Sequence, residues 1–182
     1  MQSADVIKQA YRKLLEKKAA DSITVTDICK KANVSRRTYY NAFTSKQDVV
    51  EGIIYDDFIK PTIAFNELFG LDSLNSSPLL LTEQVYKNII THKQFYTKMI
   101  ACATTRNLFV ESVINQLEHL GIELLAKTNL SDEECRYIAY SMSATQAMVI
   151  QKWIRDGMNV EPAIMAEYFN TWILSSVSQL LT

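Results

Sequence analysis

Glycine (four) and proline (three) are scarce in this chain of 182 residues. Closely spaced turns, which a β-rich fold needs every ~8–12 residues, are therefore excluded. Long period-two stretches of β-branched residues are also missing, so the pattern points to an all-α fold. Three cysteines, Cys29, Cys102 and Cys135, are odd in number and far apart. That spacing argues against a disulfide framework or a paired-thiolate metal site and leaves free thiols. The two histidines, His92 and His119, stand in no metal-binding spacing. There is no glycine-rich phosphate loop and no nucleophile-elbow motif, so no catalytic residue, metal or cofactor is expected. No apolar run approaches the ~18 residues that span a bilayer. The first residues run straight into an amphipathic pattern with no signal-peptide core, so a cytoplasmic protein without a membrane partner is expected.

What is present is an ordinary globular balance, 48% hydrophobic and 21% charged, enough to build a core and too apolar for disorder. The net charge of −1 hides an asymmetry. Residues 1–47 carry ten basic side chains against four acidic ones, a net +6, whereas residues 61–182 carry eight against twelve, a net −4. A basic head on an acidic body suits a protein that brings one end to phosphates.

Helical spacing and capping residues divide the chain. A first helix over about 4–18 places Ile7, Ala10, Tyr11, Leu14 and Leu15 on one face. Thr24 caps a second that ends near Ala32, Ser35 a third through about Phe43, and Ser45 a fourth that Pro61 kinks or ends. A turn-forming stretch lies between Phe69 and Thr82. Further helices are predicted over about 80–91, 93–102, 107–127 and from Ser131 to Asp156-Gly157. A last one opens at Pro162 and carries Met165, Tyr168, Phe169, Trp172, Ile173, Ser176 and Leu180.

Residues 24–46 have the physical make-up of a helix-turn-helix. Ile28 and Ala32 face inward, Asn33 tolerates positive φ at the turn, Val34 plugs the corner and Ser35 caps the next helix. That helix buries Tyr39 and Phe43, four apart, and frees Arg36, Arg37, Tyr40 and Asn41 to enter a major groove.

Residues 23–55 resemble the DNA-binding segment of TetR-family regulators, with Thr24, Ile28, Ala32, Val34, Ser35, Thr38, Tyr40, Phe43, Ser45 and Lys46 at matching positions. Cys29 stands in place of the usual alanine and Asn33 in place of the usual turn glycine. The resemblance covers about a quarter of the chain. It implies a three-helix DNA-binding domain over 1–47 and a helical effector-binding and dimerisation domain over 48–182, with Trp153 to Met158 similar to a segment of many such domains. Thr38, Tyr40 and Lys46 then correspond to phosphate contacts, and Arg36, Arg37 and Asn41 to base-choosing positions. Thr26 and Ser35 complete the expected DNA-binding set.

The body is expected to form a two-fold homodimer through segments 132–157 and 161–181, with the small-residue row Ala139, Ser143 and Ala147 allowing close helix approach. Burial of that row within one subunit is the alternative. Phe65, Tyr86, Phe95, Tyr96, Met99, Phe109 and Met142 are candidate walls of a pocket for a small apolar effector, core packing being the competing use. The function that follows is a regulator, a repressor more often than an activator, which binds palindromic operator DNA under ligand control. A TetR-like regulator or activator controlled by a partner protein is the alternative, as in some activators of dihydroxyacetone-kinase operons. An enzyme on a helical scaffold is a distant third.

Overall fold

A computed structural model of the chain describes residues 3–61, 63–64 and 78–171. Nine α-helices and no strand occur among the described residues. They are α1 (Ser3–Leu15), α2 (Val25–Ala32), α3 (Arg36–Ala42), α4 (Lys46–Ile54), α5 (Pro78–Thr91), α6 (Lys93–Ala101), α7 (Ala103–Leu125), α8 (Asp132–Arg155) and α9 (Pro162–Phe169). Most of the predicted turn (70–77), Phe65 and the last helix from Trp172 onward lie outside the described residues.

The first helix ends three residues sooner than its periodicity suggests. Glu16, Lys17 and Lys18 offer no apolar face to bury, and a short 3-10 turn, Ala20–Ser22, leads into α2 instead. Ile7, Ala10, Tyr11 and Leu15 of α1 form the floor on which α2 and α3 rest through Ile28 and Tyr39. The same floor continues into the body, because α1 also packs against α4 and α6.

The fourth helix does not simply stop at Pro61. It widens into a π turn over Tyr55–Ile59, in which Lys60 N–H bonds to the Tyr55 carbonyl five residues back. Pro61 has no N–H to give the Asp57 carbonyl four residues before it, and the Asn88 side chain of α5 donates to that oxygen at 3.0 Å.

The longest contact in the body runs between α7 and α8. The two helices lie close at Gly121, where an added Cβ would lie 3.0 Å from the Cβ of Ala139. Ala139, Ser143 and Ala147 are all buried within the single chain, Ala139 against Gly121 of α7, which corrects the expectation that this row sits at a dimer interface. Small residues at four-residue spacing let two helices of one chain approach, and Ser143 hides its hydroxyl by donating to the Ala139 carbonyl at 2.7 Å. The end of α8 is closed by Gly157 (φ +89) and Met158 (φ 57). Their N–H groups bond back to the carbonyls of Ile154 and Trp153, a Schellman closure.

This packing yields a test. Ala139→Leu places a branched side chain where Gly121 leaves no room, and is expected to lower stability by about 1–3 kcal/mol. Urea denaturation with an unchanged midpoint would contradict the close approach.

Candidate nucleic-acid interface

Helix α3 is framed by two local devices that the sequence dictates. At the end of α2, Asn33 takes φ 54, and the N–H groups of Asn33 and Val34 bond back to the carbonyls of Lys30 and Cys29. The chain reverses there without glycine, because asparagine tolerates the left-handed region. Ser35 then caps α3, its hydroxyl accepting from Thr38 N–H at 3.0 Å while lying 2.9 Å from the Thr38 hydroxyl. Thr24 and Asp27 form a reciprocal capping box on α2.

Tyr39 is the anchor of α3. It is fully buried, meets Phe43 and Tyr40 ring to ring, and donates to the Ser45 carbonyl at 2.9 Å. Burial pushes its hydroxyl up to about 12, so it remains a donor at every physiological pH. With Tyr39 turned inward, α3 presents Arg36, Arg37, Asn41 and Tyr40, the last 54% exposed. Arg36 Nη2 donates to the Thr26 hydroxyl at 2.7 Å, which pre-orders one guanidinium across the two helices of the motif. Thr26, Ser35, Arg36, Arg37, Thr38, Tyr40 and Asn41 are therefore brought together around α3 and the start of α2.

Lys46 is also in this region, but its ammonium donates to the Ile23 carbonyl at 2.6 Å and is half-buried. It joins the start of α4 to the strand-like entry of α2, a partner that residue spacing does not reveal. The basic excess of the head is also smaller than its sequence count, because Lys8 and Arg12 are paired with Asp56 and Asp57 of the π turn. Lys30, Lys31 and Arg37 are exposed and make no ion pair among the described residues.

In the body, Phe95, Tyr96 and Phe109 come together with Phe58 in edge-on contacts with centroids 5.1–6.3 Å apart. Tyr86 packs elsewhere in the same core, perpendicular to Trp153 at 5.1 Å. Tyr86, Phe95, Tyr96, Met99 and Phe109 are all 0% exposed, so no space the size of a water molecule lies against them. Met142 is half-buried on α8. In this conformation those five buried candidates are core, and a ligand reaches them only by displacing packed side chains.

A capped, basic, outward-facing helix held across a short partner helix defines a helix-turn-helix DNA-binding protein. Residues 7–53 match the model described as bacterial regulatory proteins, tetR family, and residues 77–175 match a TetR-type transcriptional regulator C-terminal region. The chain belongs to the TetR family of transcriptional regulators, whose members bind operator DNA and are not enzymes. It is 25% identical over 91 residues to the HTH-type dhaKLM operon transcriptional activator DhaS of Lactococcus lactis subsp. lactis (strain IL1403), covering 50% of this chain and 47% of that one. The chain thus spans about half the length of that curated relative. A solved dihydroxyacetone kinase operon activator DhaS superposes with a TM-score of 0.61 at 20% identity, over 97% of this chain and 96% of that one. A TetR transcriptional regulator from Streptococcus agalactiae 2603V gives 0.53 at 15% identity, over 94% and 93%. These two superpositions show a shared fold.

The cap of α4 supplies a pH test. Asp48 accepts from the Ser45 hydroxyl, then from the Thr44 hydroxyl and the backbone of both, which lowers its pKa from 3.8 to about 2. A depressed carboxyl stabilises the folded state above the unfolded value and loses that contribution as pH falls through the folded value. The cap should therefore act fully above about pH 4 and fade toward pH 2. A carboxyl-carbon titration of Asp48 should show this, with Ser45→Ala moving its midpoint upward. A midpoint near 4 in the unmutated chain would refute the cap.

Proposed function

We propose that this chain regulates transcription by binding a palindromic operator as a homodimer, with residues 1–47 reading DNA and residues 48–182 dimerising and receiving the signal. The observation that carries the reading is the pre-ordered face of α3, where Arg36, Arg37, Tyr40 and Asn41 project from a helix fixed by buried Tyr39. Arginine suits guanine and asparagine suits adenine in the major groove, while Tyr40 and Thr38 serve phosphates. Such work belongs in the cytoplasm, and no described helix is long and apolar enough to cross a membrane.

The dimer contact is assigned to the outward face of α8, not to its small-residue row. Tyr137, Tyr140, Ala144 and Met148 recur there at three- and four-residue spacing, and Tyr137, Tyr140 and Met148 are 50–68% exposed. Large apolar residues left open along about three turns of a helix are what a second copy covers.

Two observations favour a partner protein over a small apolar effector as the controlling signal. The ring cluster is packed solid, and the concave surfaces among the described residues of the body are open ones, such as a groove of about 440 Å3 bounded by Tyr55, Ile59, Ile63, Gln116 and Leu120. The two relatives named as operon activators support activation over the repression expected from the sequence.

Arg37→Ala or Asn41→Ala is expected to cost about 1–3 kcal/mol at one or two base positions of a site selected from random DNA. Tyr40→Phe and Lys46→Ala should weaken binding to every sequence, Lys46→Ala also lowering the stability of the head. Equal losses on selected and random DNA in all four variants would remove the division of roles. Sedimentation tests the interface separately: Tyr140→Glu with Met148→Glu should give a folded monomer, and a persisting dimer would exclude this face.

A further inference from the structure

The basic residues Lys8 and Arg12 of α1 are held away from the DNA-reading surface by ion pairs at the seam between head and body. Asp57 stands at the centre of that seam, 7% exposed. One oxygen, Oδ2, accepts both from Arg12 Nη2 at 2.7 Å and from the Tyr96 hydroxyl of α6. Its own carbonyl accepts from Asn88 of α5 at 3.0 Å. The neighbouring Asp56 accepts from Lys8. Lys8 and Arg12 are four apart and share one face of α1, and the π turn lets two consecutive carboxylates reach that face. Arg12 of α1 and Tyr96 of α6 thus meet at one carboxylate of the π turn that follows α4, and Asn88 of α5 holds the backbone of the same residue.

Apolar contact alone permits two packed surfaces to slide, whereas a buried ion pair has one good geometry, and fixing arrangement is its best-attested use. Here the pair has little redundancy. Arg12 Nη1 is buried with no hydrogen-bond partner among the described residues, and the guanidinium otherwise lies over the Phe95 ring at 4.8 Å. Burial, reinforced by the nearby Asp57 charge, raises the Tyr96 hydroxyl well above the ordinary tyrosine range, which keeps it a donor. Tyr96 is itself part of the ring cluster with Phe58, Phe95 and Phe109, so any shift of those rings moves the hydroxyl relative to Asp57.

We propose that Arg12, Asp57 and Tyr96 are positioning residues for DNA binding: the shared carboxylate fixes α1, and with it the reading helix, at one orientation on the body. The proposal rests on the DNA-binding reading given above. None of the three residues lies on α3 or on the start of α2, so they act through head orientation and not through contact with DNA.

The test uses the full chain and the site it selects from random DNA. Tyr96→Phe keeps the ring and removes the donor, while Asp57→Asn keeps the shape and removes the charge. Each is expected to lower affinity for the selected site by about fivefold or more. The dependence of affinity on salt should be unchanged, because phosphate contacts are intact. The double variant should be no weaker than the weaker single one, since both break one unit. Head orientation is read directly by pulsed electron resonance between spin labels at Lys13→Cys and Glu111→Cys. The labels sit in a chain carrying Cys29→Ala, Cys102→Ser and Cys135→Ala, diluted with unlabelled chains. A narrow distance distribution in the parent should broaden in both variants.

Affinity of the folded protein within about twofold of the parent, together with an unbroadened distribution, would overturn the proposal even if the melting temperature falls. Additive losses in the double variant would overturn it as well. If Asp57→Asn does not fold, Tyr96→Phe decides by itself. If the parent chain selects no DNA, the DNA-binding reading fails independently, and the distance distributions still decide the positioning role.

Discussion

Arg12 reaches Asp57 across the seam where the first helix of the head lies on the body, and both side chains are nearly out of solvent. Charges so placed are tolerated only with a partner, since either alone would lose its hydration with nothing in return. The π turn of α4, the tyrosine hydroxyl of α6 and the amide of α5 all converge on the residue that satisfies this requirement. Two otherwise separate helical units become one object by meeting it. The apolar floor of α1, running under α2 and α3 and on toward α6, supplies area, and the ion pair supplies register.

The outward surface of α3 depends on a different constraint, the marginal stability of short helices. An eight-residue α2 and a seven-residue α3 have too few internal hydrogen bonds to persist alone. They are held by caps at Thr24, Ser35 and Ser45 and by the burial of Tyr39. Turning Tyr39 inward turns Tyr40 and Asn41 outward, so the same contact that stabilises the head also aims it. Lys46 contributes to the frame by donating to the Ile23 carbonyl, and the Arg36–Thr26 bond ties the two helices on their outer side.

In the body, close packing and openness lie on neighbouring faces of α8. The face bearing Ala139, Ser143 and Ala147 is filled by α7 because Gly121 admits it, and the face bearing Tyr137, Tyr140 and Met148 is left to solvent in the single chain. The aromatic residues of α6 and α7 interlock with no room beside them. A signal that acts on this domain either pries that cluster apart or works from outside.

The sequence by itself determined the all-α class, the helix-turn-helix with its left-handed Asn33, the caps at Thr24, Ser35 and Ser131, and the closure at Gly157. These are legible because each is decided within a few residues, by φ preference, by a side chain that can reach a free amide, or by apolar spacing. The partner of the Asp57 carbonyl in the π turn was not legible, since Asn88 lies 31 residues beyond the carbonyl it serves. Pairing of Lys8 and Arg12 with Asp56 and Asp57 likewise joins residues 45 or 48 positions apart, and nothing local distinguishes these cations from the lysines left free. Which face of α8 meets its own chain was equally a tertiary decision. Both faces carry residues suited to helix contact, and the choice fell to Gly121 of α7, whose missing side chain lets α7 in on one side.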